Sequence, residues 1–313
     1  MKNHNSSSPY ARYMRDNQYV LSLPRERVNV AKPSKEVGLS LRSLLLTHLR
    51  ELSRCFIRLP YDYWYARKEI YATMRKKGAK KKLSAIVIGN GPSQSSLSSD
   101  ELNHFKASGG DTIVVNYWNL NKQIKGHIPS YIVFSDPDTF QGEYGEELVD
   151  YLKSNKEIQV VMPANRFSDI LVKKGIENRV FMFIDTEIKM FRGISPCLPR
   201  GYLSMTLYKA LAWALHLGYH KIGVIGMDNT YPRDLYCDES NRVLNREVHA
   251  GMSDSVCDLS EIYPSVAAAV YDIYRLFKDL ELFPNSSIYN LDRYSLTDRF
   301  KKVSFGDFHQ LYL

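Results

Sequence analysis

The stretch "AIVIGNGPSQSS", residues 85–96, runs four apolar residues into Gly-Asn-Gly-Pro-Ser and then turns polar. An apolar run that ends in a glycine-rich turn has the form of a buried strand followed by a tight loop. Its neighbours decide what kind of sheet it belongs to. Short apolar or β-branched runs predict strands at Ala85–Gly89, Thr112–Asn116, Tyr131–Ser135, Ile158–Met162, Arg179–Ile184, Ile222–Gly226 and Ser287–Leu291. Several are nearly continuous in apolar residues, the pattern of strands buried on both faces of a parallel sheet. Helical spacing lies between them at Ser99–Ala107, Gly145–Lys153, Ser168–Lys174, Ser204–Leu217 and Tyr263–Leu280, with Gly218 placed as a C-cap. The alternation predicts an α/β fold: a doubly wound, mostly parallel, Rossmann-like sheet forming one nucleotide-binding domain over residues 84–313.

Residues 1–83 read differently. They hold 19 Lys and Arg against 6 Asp and Glu, so the formal charge of +8 belongs to this segment and the remainder is net acidic. Within it, residues 41–82 interleave Arg42, Arg50, Arg54 and Arg58 with Leu44, Leu45, Leu49, Leu52, Phe56 and Ile57, a spacing compatible with an amphipathic helix. Trp64, Tyr65 and Tyr71 then lead into Lys76, Lys77, Lys80, Lys81 and Lys82. Such a basic helical extension can pack on its own domain or on a partner subunit, or lie on an anionic membrane surface. Nucleic acid would answer the same charge.

The 313 residues with 44% apolar content suffice for a large core, and no stretch is apolar enough to span a bilayer. The polar, charged first thirty residues lack the apolar core of a signal peptide, so a cytoplasmic location is expected. Cys55, Cys197, Cys237 and Cys257 show no CxxC pairing, which argues for reduced thiols and against zinc.

In open α/β sheets, ligands gather beyond the carboxyl ends of the strands. After the first strand, Gly89 and Gly91 let the backbone approach a ligand, Asn90 adds an amide, and Ser93 can cap a turn while offering its hydroxyl. No Walker loop and no GxGxxG is present, so the loop reads either as a ligand cradle or as a plain turn. Asn116 ends the second strand and can bond a base or ribose, or tie its own turn. Asp136 and Asp138 in "FSDPDTF" resemble a cation-binding DxD, or form an ordinary Asp-Pro-Asp turn. The richest cluster is "GMDNTYPRDLYCDESNRVLNREVHAG", residues 226–251. There Asp228 follows the strand, Tyr231, Arg233 and Tyr236 can neutralise a phosphate leaving group, and His249 can take a proton near neutral pH. His216 and His220 read as helix-terminus residues.

The loop GNGPS, the strand-end Asn116 and "LYKALAWALHLGYHKIGVIGMDNTY", taken in order, resemble the bacterial lipooligosaccharide sialyltransferase family. The similarity covers about residues 84–295 and ends in "SIYNLDRYSL". Archaeal pterin diphosphokinases of the same wider superfamily share the GNGPS-like loop. The resemblance implies that Asn90 and Ser93 line a cytidine monophosphate site and that Asn116 contacts the nucleotide. It further implies that Tyr231 and Tyr236 hold the departing phosphate and that His249 is the general base. Arg200, Ser204 and Thr206 in "PRGYLSMT" stand where the family has Arg-x-Thr-Ser-Gly. Gly89, Gly91 and Asp228 complete the expected nucleotide side of the site.

The chain departs from that family in this Arg200–Thr206 stretch and at three further places. Its first tyrosine comes one position later, Asp136-Pro137-Asp138 replaces Asn-Pro-Ser, and the basic extension has no counterpart. The implied activity is an inverting glycosyltransferase moving an acid sugar, of sialic acid or Kdo type, from a CMP-activated donor to a bacterial surface glycan or glycolipid. It calls for no cofactor and no metal, although Asp136 and Asp138 keep a cation in view. Peripheral contact with the inner face of the membrane through the extension is expected, self-association is a further option, and nucleic acid is not expected. The alternatives are a Mg-dependent pterin or nucleotide diphosphokinase and a non-catalytic scaffold in glycan assembly.

Overall fold

The computed structural model describes residues 41–310 apart from 82, 117, 119–123, 125, 136, 141, 165–173, 177–178, 187, 189–190, 192, 201–204, 248–254 and 261–265. Two helices of the basic segment come first: α1 (Leu41–Ser53), continued by a π-helical turn over Arg54–Arg58, and α2 (Leu59–Tyr65), followed by α3 (Arg67–Arg75). The α/β domain then runs β1 (Ser84–Ile88), α4 (Ser99–Ala107), β2 (Asp111–Val115), β3 (Tyr131–Val133), α5 (Gly142–Ser154), β4 (Gln159–Pro163) and β5 (Val180–Phe183). It continues with α6 (Thr206–Leu217), β6 (Lys221–Ile225), α7 (Tyr231–Asp234), β7 (Leu235–Cys237), β8 (Val243–Glu247), β9 (Ser255–Asp258), α8 (Val266–Asp279), β10 (Ile288–Asn290), β11 (Lys301–Lys302) and α9 (Phe305–Gln310).

Eight strands form one sheet in the order β11-β10-β6-β1-β2-β3-β4-β5, with every pairing parallel. All seven strands expected from apolar runs are in it, and the doubly wound α/β class stands. Period-2 alternation along β1 sends Ala85 and Val87 to one face and Ile86 and Ile88 to the other. Leu207, Tyr208, Leu211 and Trp213 of α6 cover the first face; Leu102 and Phe105 of α4 and Leu148, Val149 and Leu152 of α5 cover the second. Ser98 caps α4 in a reciprocal box with Glu101, and Gly218 closes α6 with φ 86° in the left-handed region.

Two parts of the fold were not expected. A small antiparallel sheet, β7-β8-β9, grows out of the polar loop after β6. Its strands are short, and Asn245, Arg246, Ser255 and Asp258 break their apolar residues into runs no longer than Leu235–Cys237, too short to mark a strand. The two-residue β11 extends the main sheet for the same reason: Lys301 and Lys302 pair through backbone alone. The helix expected at Ser168–Lys174 lies almost wholly outside the described residues.

The basic segment is built into the domain from α2 onward. Asp62, Ala66, Ile70 and Thr73 form its buried stripe. Thr73 Oγ1 donates to Met182 O at 2.9 Å and accepts from Met182 N at 3.1 Å, stapling α3 to the edge strand β5. His216 Nε2 meets Thr73 O at 2.8 Å, so this histidine ends α6 and ties it to α3. Burial holds its pKa below the ordinary range.

Candidate functional site

The strand order reverses beside β1. From β1 the chain winds outward through β2, β3, β4 and β5, then crosses back through α6 to place β6 on the other flank of β1. The loops leaving β1 and β6 therefore part at their carboxyl ends, the position where doubly wound sheets take ligands. The Gly89–Ser93 loop and the Gly226–Asn229 loop meet at this point.

Glycine is required on both sides of the meeting. Gly226 has φ 72°, and a Cβ there would fall 2.3 Å from Gly89 O; a Cβ on Gly89 would fall 2.4 Å from Gly226 O. Gly91 N donates to Gly226 O at 3.1 Å, and Gly89 N to Ile225 O at 2.8 Å. Ser93 then locks the loops together. Its N–H donates to Asp228 Oδ1 at 3.0 Å, its hydroxyl donates to Asp228 Oδ2 at 2.9 Å, and the same hydroxyl accepts from Gly226 N at 2.9 Å. The Ser93 side chain is thus engaged within the protein. Among the described residues the buried Asn90 Oδ1 has no hydrogen-bond partner, leaving an acceptor for something else.

Burial raises the Asp228 carboxyl to about 6, the Ser93 bonds oppose that rise, and the charge of Asp292 adds to it. Asp292 sits in the loop after β10, which is stitched to the loop after β6. Ser295 Oγ donates to Met227 O at 2.6 Å, Leu296 N to Asp228 O at 3.0 Å, and Asn229 Nδ2 to Thr297 Oγ1 at 2.9 Å. Asn229 Oδ1 and Asp292 Oδ2 are buried without hydrogen-bond partners among the described residues. Asn229, at φ 52°, takes the left-handed turn that asparagine tolerates.

A second group lies at the ends of β2 and β3. Asn116, at φ 38°, donates from Nδ2 to Thr206 Oγ1 at 3.1 Å and accepts at Oδ1 from Ser135 N at 3.3 Å. Ser135 Oγ also bonds Thr206 Oγ1. Thr206 opens α6, whose N-cap Met205 supplies no side-chain bond, so the electropositive helix end faces this group without a side-chain cap. Gly89 of the first group lies close to Leu207, the residue after Thr206: a Cβ on Gly89 would lie 3.1 Å from Leu207 Cδ2.

Gly89, Asn90, Gly91, Ser93, Asn116, Thr206 and Asp228 are thereby gathered at the carboxyl edge of β1, β2 and β6. Tyr236 is on β7, half-buried, with the Arg246 guanidinium 5.8 Å from its ring centre. Arg233 is exposed and pairs with Asp234 at 3.2 Å. Tyr231 begins α7, but its side chain, together with His249, Ser204, Asp136 and the Asp138 side chain, lies outside the described residues. Arg200 is ion-paired with buried Asp185, which Lys209 approaches at 3.3 Å. Ser135, Asn229, Asp292, Ser295 and Thr297 were missed from sequence. The strand-end rule that picked out Asn116 and Asp228 would have found Ser135 after β3 and Asp292 after β10.

No protein-family model matches the chain, and no curated protein matches it. Among solved structures it is similar to the sialyltransferase CstII from Campylobacter jejuni in complex with the substrate analogue CMP-3FNeuAc. Identity is 17%, the match covers 71% of this chain and 86% of that one, and the TM-score is 0.41. It is also similar to the MAf glycosyltransferase from Magnetospirillum magneticum AMB-1, with 10% identity, coverage of 78% and 40% respectively, and a TM-score of 0.40.

Proposed function

We propose that this chain is a glycosyltransferase that moves an acid sugar of the sialic acid or Kdo type from a CMP-activated donor to a bacterial surface glycan. The observation that carries the reading is the loop Gly89–Ser93, fixed by Ser93 and Asp228 at the strand-order reversal, with the buried Asn90 amide oxygen beside it lacking a partner among the described residues. The motif order that resembles the sialyltransferase family supplies the substrate class.

In this reading the nucleotide lies over Gly89–Gly91, with Asn90 bonding it directly. Ser93, Asn116, Thr206 and Asp228 shape the loops around it, and the end of α6 favours its phosphate. The anomeric carbon–oxygen bond to CMP breaks as the acceptor oxygen attacks from the opposite face, which inverts the centre. Tyr231 and Tyr236 donate hydrogen bonds to the departing phosphate, and His249 takes the acceptor proton. No cofactor enters these steps.

The test is a thermal-shift panel of CMP, CDP, UDP, GDP and ATP with and without Mg²⁺, since a ligand stabilises the fold only as far as it binds the folded state. Selective stabilisation by CMP without Mg²⁺ is expected. His249→Ala is expected to lower turnover by about 10² to 10⁴-fold with CMP affinity kept; full activity in that variant sinks the assignment of the base.

A second reading, a Mg-dependent pterin or nucleotide diphosphokinase, draws on Asp228 and Asp292, two carboxyl groups close enough to raise the Asp228 pKa. Activity abolished by chelation, together with stabilisation by ATP only when Mg²⁺ is present, selects it. A chain that binds no nucleotide at all would instead be a scaffold.

A further inference from the structure

The helices α2 and α3 bury one stripe and leave the other exposed. Opposite Asp62, Ala66, Ile70 and Thr73, the exposed stripe reads Tyr61, Trp64, Tyr65, Lys68, Tyr71 and Arg75. Trp64 is 65% exposed and Tyr71 62%. Guanidinium groups lie over these rings: Arg58 at 5.8 Å from the Tyr61 centre, Arg67 at 5.7 Å from Trp64, and Arg75 at 5.2 Å from Tyr71. The π-helical turn before them adds Phe56 and Ile57, 74% and 68% exposed, and none of its residues is buried. On α1, Leu45, Leu49 and Leu52 continue the stripe at helical spacing, all more than half exposed.

From this arrangement we infer that α1, the π-helical turn and the outer stripe of α2–α3 form a docking surface for an anionic lipid bilayer, lying in the headgroup region with the rings and leucines inserted. Three observations choose this occupant. Residues 41–82 hold twelve Lys and Arg against three Asp and Glu, and Arg58, Arg67, Lys68 and Arg75 stand exposed beside the rings, so the face complements a negative surface. A second copy of the chain would bring the same positive face and be repelled. Nucleic acid would match the charge but leave the leucines, Phe56 and Ile57 in water. Tyrosine and tryptophan, apolar in body and polar at one end, suit the interface between hydrocarbon and water. Among the described residues no helix is long and apolar enough to cross a membrane, so the contact is peripheral. The inference does not depend on which group the crevice transfers.

The protein contains its own reporter. Of its three tryptophans, Trp118 and Trp213 are buried and Trp64 is exposed. Adding vesicles rich in phosphatidylglycerol to the full chain should shift its emission to the blue, and Trp64→Phe should abolish the shift. In cosedimentation, binding should be at least about tenfold stronger to phosphatidylglycerol vesicles than to phosphatidylcholine vesicles, and should weaken with salt. Phe56→Ser with Trp64→Ser, and separately Lys68→Glu with Arg75→Glu, should each reduce binding by about tenfold or more while the circular dichroism melt is unchanged. Lys156→Glu, on the exposed turn between α5 and β4, should have no effect. Absence of vesicle binding, equal binding to both lipids, or binding that both pairs of changes leave intact overturns the inference. An oligomer that these changes dissolve, without any vesicle binding, also overturns it and gives the face to a protein partner.

Discussion

The loop lock can be tested by a single methyl group. Gly91 has φ −66° and ψ 155°, a conformation open to any residue, so Gly91→Ala introduces no backbone strain. Its Cβ would fall 2.0 Å from Asp228 Oδ2 and 2.8 Å from Gly226 O. A carbon–oxygen contact needs over 3 Å, so the Asp228 carboxyl must swing away by more than about 1 Å. That movement breaks the bonds it accepts from Ser93 Oγ at 2.9 Å and Ser93 N at 3.0 Å. Bonds to a charged group contribute about 1.5–3 kcal/mol each; with partial rescue by water, the expected loss is about 2–4 kcal/mol in a urea melt. Asp228→Ala removes the obstacle as well as the bonds. Alanine at 91 should then cost at least about 1.5 kcal/mol less in the Asp228→Ala background than in the parent. Calorimetry with CMP should show weaker binding for Gly91→Ala, because the loop that carries Asn90 is displaced. A Gly91→Ala protein within about 0.5 kcal/mol of the parent, or a penalty that is undiminished when Asp228 is alanine, refutes the lock.

Arg200→Ala removes the guanidinium from buried Asp185; with Lys209 at 3.3 Å offsetting part of the loss, a destabilisation of about 2–4 kcal/mol is expected in urea melts. A loss below about 1 kcal/mol would place the pair at the level of a surface contact. Buried His127, held between Thr112 Oγ1 and Asn103 Oδ1 at 2.7 Å each, has its pKa pushed by burial from 6.5 to about 4. Between those values the unfolded chain holds more protons, so acidification from 6.5 to 4 should remove about 3 kcal/mol of stability, a slope that His127→Gln should erase. Asp228 acts in the opposite sense: with its pKa raised from 3.8 to about 6, its contribution is present below 3.8 and is lost as pH rises through 6. Asp228→Asn should therefore steepen the fall in stability on acidification between 6 and 4, read from urea midpoints across that range.

The main sheet was legible because parallel strands buried on both faces write themselves as apolar runs, and Ile86, Val87 and Ile88 could hardly sit elsewhere. The switch point was not legible: nothing in the local sequence says that β6 returns to the flank of β1, since that order is set by α6 crossing the sheet. Gly89 and Gly91 announced a close backbone approach, but only the fold reveals that the approaching groups are Gly226 and Asp228. From the sequence Ser93 can cap a turn while offering its hydroxyl to a ligand. In the folded chain it accepts from Gly226 N and donates to Asp228, a partner 135 residues away. Polar residues at strand ends are ambiguous in this way because a free hydroxyl and a loop tie share one sequence signal. In the loop after β10, Ser295 and Thr297 tie to Met227 and Asn229 through side-chain bonds that span 68 residues, and such long-range ties leave no periodicity in the sequence.

The buried side of the basic segment explains why its outer face can remain exposed without loosening the helix. Asp62, on the same helix as Trp64, accepts from Thr186 beyond β5 and pairs with Arg58 at 3.1 Å; burial raises its pKa, and these two bonds oppose the rise. Tyr63 donates to Cys197 O, and Thr73 closes onto Met182. Thr186 adjoins Asp185, whose partners Arg200 and Lys209 lead onto α6, and α6 begins at Thr206 beside Asn116 and Ser135. A chain of short polar contacts therefore runs from the helix that carries the aromatic stripe to the rim of the crevice. Asp62, Thr186, Asp185, Arg200 and Lys209 along it are buried, where an ion pair or hydrogen bond is screened little by solvent, and Asn116 at the rim is half-buried. The orientation of the crevice relative to that stripe is thus set by the fold itself, and a surface that captures the stripe holds the crevice at a fixed angle.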